Sequence, residues 1–327
     1  MRHALRMDVE LLELRTKHPF MIARGGQSDH HSVWVRLSDK DGHEGWGEAA
    51  PSKFYGETAD TVVAALKLYG TVLPDDPFNL EDAERRWETT MKGNASARAA
   101  LSAALHDLVG KRLGVPVYRM WGLDPCKAPK STFTIGLDTP ERIRAKVGEA
   151  EQYPILKVKL GTDQDVEILQ AIRGATDKEI RVDANCGWTV KRALRMLPVL
   201  DEFGVTVLEQ PLPPQDLDGL AAISAAADIP PLVGKVDGIN IKLAKCGGLR
   251  EALRMIAVAR AHDMMVMVGC MIESSLGITA AAHFTPLVDF VDLDGAALLA
   301  NDPFVGAGIE GGQVTLPSGS GLGVRRR

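Results

Sequence analysis

From about residue 130 onward the chain repeats one texture: a short apolar, β-branched run, then a stretch with helical spacing, then another run. The runs fall near 132–136, 155–161, 180–183, 205–209, 229–233, 239–243, 264–269 and 290–294. Eight runs, with all but one of the successive starts about 25 residues apart, fit βα units with short loops, and eight is the strand number of a closed parallel barrel. The sequence therefore predicts an α/β fold, a (β/α)8 barrel over residues 119–302. Residues 1–118 read differently, with strand-like runs at 8–14 and 32–37, a Gly-bearing turn at 39–45, and helical spacing from 58 and over 95–110. This pattern predicts an α+β capping domain, with the last segment, 303–327, packing back on it.

Composition limits what such a barrel can serve. Apolar residues make up 45% and charged residues 25%, as in a globular protein with a large core. A net charge of −5 gives no electrostatic reason to expect nucleic acid or an anionic membrane as partner. Cys126, Cys186, Cys246 and Cys270 show neither CxxC pairing nor zinc spacing, which suggests a reducing compartment. The opening segment alternates charge with leucine, and no stretch reaches the roughly 18 apolar residues of a membrane helix, so the cytoplasm is the expected location.

Active sites of such barrels lie at the C-terminal ends of the strands. Here those ends read Lys157-Val158-Lys159, Asp183-Ala184-Asn185, Glu209-Gln210-Pro211, Lys242-Leu243-Ala244-Lys245 and Asp292-Leu293-Asp294. Charges framed by apolar strand residues imply partners, a metal or a substrate, because burying them alone is costly. Asp183 and Glu209 end neighbouring strands and can face one volume, as hard oxygen ligands suited to Mg2+. Lys157 and Lys159, two residues apart on a strand, share a face. A second ammonium, a metal cation and partial burial each disfavour a charged lysine, which a lysine base requires. Lys242, four strands further round the ring, is expected to face Lys159 from the opposite side.

Together, Lys157-x-Lys159, Val182-Asp183-Ala184-Asn185, Leu208-Glu209-Gln210-Pro211 and Ile241-Lys242-Leu243-Ala244-Lys245-Cys246-Gly247-Gly248 resemble the enolase superfamily, in its muconate-lactonizing-enzyme-like subgroup. Gly45-Trp46-Gly47-Glu48-Ala49 looks like part of that family's capping domain. Asp292-x-Asp294 is similar to the pair that receives the substrate's α-ammonium in dipeptide epimerases. The resemblance implies a Mg2+-dependent dipeptide epimerase of the L-Ala-D/L-Glu type. It would transfer a proton between Lys159 and Lys242 through a metal-stabilised enediolate, with Lys157 supporting. It also implies that Thr134 touches substrate, and that Arg24, in a mobile specificity loop over residues 19–27, meets a side-chain carboxylate on the second residue. Glu273, in Cys270-Met271-Ile272-Glu273-Ser274, can position substrate or a lysine, or simply pack against Lys245. The dipeptide is the expected partner, and a homo-oligomer is compatible with the sequence.

Rival readings remain within the subgroup: o-succinylbenzoate synthase, N-acylamino acid racemase or muconate cycloisomerase, whose substrates offer no free ammonium to the aspartate pair. A non-catalytic barrel is a further rival, because the interval between the fifth and sixth runs is only about five residues where a parallel crossover needs a dozen or more. The expectation is that Val233 and Gly234 are not bonded neighbours. A missing segment between them would then carry the third metal carboxylate.

Overall fold

The computed structural model describes residues 5–227, 231–232 and 237–327. Strands β1 (Leu5–Ile22), β2 (Gly25–Asp39) and β3 (Glu44–Ala49) form an antiparallel sheet in that order. Val33, Val35 and Leu37 alternate along β2 and bury their side chains against the helix Ala95–Leu113, while Trp34 on the opposite face is buried as well. Gly45 and Gly47 let that helix approach: a Cβ on Gly47 would overlap the Ala100 carbonyl oxygen.

Residues 19–27, expected as a mobile specificity loop, form the end of the β1–β2 hairpin: Phe20 pairs with Gln27, Met21 with Gly26 and Ile22 with Gly25, leaving Ala23 and Arg24 as the two-residue tip. Gly25, at φ 104°, supplies the left-handed conformation the tight turn needs. The tip reaches the barrel, where Leu137 N donates to Met21 O at 3.0 Å.

The barrel consists of β4 (Phe133–Ile135), β5 (Ile155–Lys159), β6 (Glu179–Asp183), β7 (Val205–Glu209), β8 (Pro231–Leu232), β9 (Gly238–Ile241), β10 (Met265–Gly269) and β11 (Phe290–Asp292), each parallel to its neighbours. Thr132 N donates to Val291 O at 3.0 Å and closes the ring between β4 and β11. Helices Pro140–Glu149, Asp165–Arg173, Val190–Glu202, Leu217–Ala226, Leu249–Ala261 and Ser275–Ala282 lie in the crossovers. Among the described residues no helix is long and apolar enough to cross a membrane.

The bond between Val233 and Gly234, and any carboxylate there, lies outside the described residues. Leu232, the last residue of β8, pairs with Gly238, the first of β9, so these two strands are neighbours in the ring.

The final segment returns to the first sheet. Phe304–Val305 pairs with Arg325–Arg326, Phe304 packs edge-on against Trp34 at 5.2 Å, and Leu322 N donates to Asp107 on the long helix at 2.7 Å.

Candidate active site

Strand parity builds the site. Leu156 and Val158 on β5, Ile180 and Val182 on β6, and Leu208 on β7 belong to the core packed under the helices. Residues of the opposite parity point inward. In β5–β7 these are Lys157 and Lys159, Arg181 and Asp183, Val207 and Glu209. Register then levels them: Lys159 pairs with Asp183, and Asp183 with Glu209. The lower interior is filled by Val207 and Met267, with Arg181 stacked on the Phe290 ring at 4.7 Å. The upper layer is charged.

Lys157 occupies its centre. Its Nζ lies 2.5 Å from Glu209 Oε2, 2.6 Å from Asp292 Oδ2 and 3.6 Å from Asp183 Oδ2. Burial opposes its charge, but the three carboxylates outweigh burial and hold the ammonium well above the ordinary lysine range. Lys157 is thus a charged ammonium enclosed by carboxylates, with 1% of its surface exposed.

Lys159 donates to Asp183 Oδ2 at 2.7 Å, and Lys242 donates to the Cys270 carbonyl at 2.9 Å. Both line a cleft of about 960 Å³ between the barrel mouth and the capping sheet, together with Thr134, Asp292, Asp294 and Arg24. Asp183 is held below the usual carboxylate range; burial works against this, and Lys159 and Lys157 overcome it.

Asp292 and Asp294 are brought together but are not equivalent. Asp292 is committed to Lys157 and accepts from Thr132 Oγ1 at 2.6 Å. Asp294 accepts from Thr134 N at 2.6 Å and has no cation partner among the described residues. Burial, then the neighbouring Asp292, pushes its carboxyl above the ordinary range. An arriving cation would relieve that cost.

Arg24 donates to the Asn185 carbonyl at 2.6 Å and stands 4.0 Å over the Phe54 ring. The backbone it meets is strained: Asn185, Cys186 and Gln210 take φ of 47°, 65° and 44° at the ends of β6 and β7.

Asp183 and Glu209 stand level on adjacent strands, and Asn185 Oδ1 is buried without a hydrogen-bond partner. A hard oxygen left over beside two carboxylates suits Mg2+. No third carboxylate joins them among the described residues. Sequence reasoning missed Asn240, whose carboxamide donates to Glu209 Oε1 at 2.7 Å. Its place two residues before Lys242, on the same strand face, is the signal that could have found it.

Glu273 does not pack against Lys245, whose ammonium lies over the Tyr55 ring at 4.8 Å. Glu273 accepts from Met271 N at 2.8 Å, and burial, then Glu48, pushes its carboxyl up to about 8. Glu48, on β3, accepts from Ser274 N at 3.1 Å and Gly277 N at 3.1 Å, at the start of the helix Ser275–Ala282. Between pH 4.5, the ordinary value for Glu, and pH 8 the folded chain keeps a Glu273 proton that the unfolded chain has released. Stability should therefore fall as pH rises through this window, by up to about 1.4 kcal/mol per pH unit from this group. Urea unfolding across the window should show a shallower fall for Glu273→Gln than for the parent; equal slopes would mean that Glu273 is already ionised in the fold.

A barrel with an inward ring of lysines and carboxylates under an α+β cap defines a class, and the comparisons agree with it. Residues 6–122 match the mandelate racemase / muconate lactonizing enzyme N-terminal domain, and residues 141–327 the enolase C-terminal domain-like family. The chain belongs to this family, within the enolase superfamily. It is 43% identical to an L-Ala-D/L-Glu epimerase of Bacteroides thetaiotaomicron, over 96% of this chain and 86% of the relative. Two solved structures superpose with a TM-score of 0.93 at 30% identity, each covering 98% of both chains. One is the Enterococcus faecalis dipeptide epimerase complexed with Mg and L-Leu-L-Tyr. The other is a substrate-liganded L-Ala-D/L-Glu epimerase from Bacillus subtilis.

Proposed function

We propose that this chain is a Mg2+-dependent dipeptide epimerase of the L-Ala-D/L-Glu type, an isomerase that inverts the α-carbon by two-base proton transfer. One observation carries the reading: Lys159 and Lys242, from positions four strands apart in the ring, line a single cleft that also holds Asp292 and Asp294. One lysine removes the α-proton from one face, and the other returns a proton to the opposite face. Asp294, backed by Asp292 and by Thr134, receives the α-ammonium of the dipeptide. Arg24 faces the side chain of the second residue. Asp183 and Glu209 would hold Mg2+, with Asn240 steadying Glu209; the bound metal would offset the charge that develops on the substrate carboxylate. Lys157 keeps the three surrounding carboxylates from repelling one another.

Asp294, which has no cation partner among the described residues, favours this reading over relatives whose substrates lack an ammonium. We also read the chain as cytoplasmic, supported by four free thiols. The test is α-deuterium uptake from D2O across a panel of dipeptides. Exchange should stop on chelation by EDTA and return when Mg2+ is restored. Exchange that survives full removal of divalent metal, or that is absent from every dipeptide, would defeat the proposal.

A further inference from the structure

We propose that Lys245 is a second cation in the subsite for the side chain of the second residue, closing with Arg24 on a carboxylate carried there. The inference rests on the epimerase reading and narrows it to acidic second residues.

Lys245 lies on the short helix Leu243–Cys246 that follows β9, about one turn past Lys242, and it lines the cleft while partly buried. Among the described residues no carboxylate lies within ion-pair distance of it; its recorded contact is the Tyr55 ring at 4.8 Å. Arg24 is in the same condition, with the Phe54 ring at 4.0 Å and one backbone carbonyl. Phe54 and Tyr55 meet edge to face at 4.9 Å, so two cations ride on two touching rings at one end of the cleft. The deeper lysines differ, because Lys157 and Lys159 are both tied to carboxylates.

Of the acids on the cap side of the cleft, Asp29 pairs with Arg15 at 2.8 Å, Glu57 accepts from the Ser96 side chain, and the exposed Asp60 makes no ion pair with Arg24 or Lys245. Burial and the neighbouring Lys157 and Arg24 charges all act against an ammonium at Lys245, more than Glu209 and Asp183 offset. Two cations held together without an anion lose solvation and repel each other, and a ligand carboxylate relieves both costs. Mg2+ held by Asp183 and Glu209 would take the dipeptide's own α-carboxylate. The anion at this end must then come from the side chain.

The test compares L-Ala-L-Glu with the neutral isostere L-Ala-L-Gln. In Lys245→Met, kcat/KM for L-Ala-L-Glu should fall about 10- to 100-fold, the worth of one hydrogen bond to a charged group. L-Ala-L-Gln should change by no more than about threefold. Lys245→Arg, which keeps the charge, should recover most of the loss. If the methionine variant fails to fold, Lys245→Gln carries the same comparison. An equal loss on both dipeptides would place Lys245 with the chemistry or the metal and overturn the inference, as would no loss on either. A parent enzyme that exchanges neutral dipeptides but discriminates against L-Ala-L-Glu would overturn it while leaving the epimerase reading intact. A parent inert on all dipeptides would bring down both.

Discussion

Replacing either Lys159 or Lys242 with alanine should abolish epimerisation, with a loss of at least about 1,000-fold, within the range that a positioned acid–base group contributes. The two variants should fail in different ways. Each keeps one base, so each can still exchange the α-proton of the epimer that presents its proton to the remaining lysine. Lys159→Ala and Lys242→Ala should therefore wash deuterium into opposite epimers, followed by NMR in D2O. The expectation comes from the placement of β5 and β9 on opposite sides of one ring, with both lysines facing the same cleft. Epimerisation at near parental rates in both variants would end the two-base account.

The second large effect concerns the aspartates, and the structure makes it asymmetric. Asp294→Asn removes the one carboxylate of the pair that lacks a cation partner among the described residues. Turnover of a free dipeptide should drop by about 100-fold, the worth of a desolvated charge-assisted contact. Mg2+ affinity, read by calorimetry, should stay within a small factor of the parent. Asp292→Asn should do more, because it also leaves the Lys157 ammonium short of one of its three carboxylates, and a buried cation stripped of a partner is costly. It should lower thermal stability as well as activity. An N-acetylated dipeptide, lacking the ammonium, should be a poor substrate for the parent; equal rates with the free dipeptide would remove the basis for an ammonium site.

The strands were legible because alternation is a local property of the sequence. The run at 205–209 coincides with β7, and the others fall within about two residues of the observed ends. The ring of charges was legible for the same reason, since inward parity at a strand end needs only the strand. What lay hidden depends on partners from elsewhere in the ring. That Lys157 is caged by Asp183, Glu209 and Asp292 requires knowing that β11 closes against β4 beside it. The hairpin tip carrying Arg24 hid behind its glycines and a bulge between Arg15 and Phe20, which break the alternation that marks a strand. Lys245 was quoted within a motif and passed over, because the helical turn that aims it into the cleft begins after the strand has ended.

The carboxylate of Glu48 ties the two halves of the molecule together. It belongs to the first sheet, yet it meets the open amides at the start of a barrel helix, Ser274 and Gly277, and pairs with the Ser274 hydroxyl. Neither half is a detachable module. A barrel expressed alone would expose the unsatisfied first turn of that helix, and a cap expressed alone would lose the Ser274 and Gly277 partners of a buried acid. Recombination between relatives is constrained in the same way: a foreign cap can be joined to this barrel only if it brings an acid to the place of Glu48. The capping sheet and the barrel thus share one buried contact that neither can complete alone.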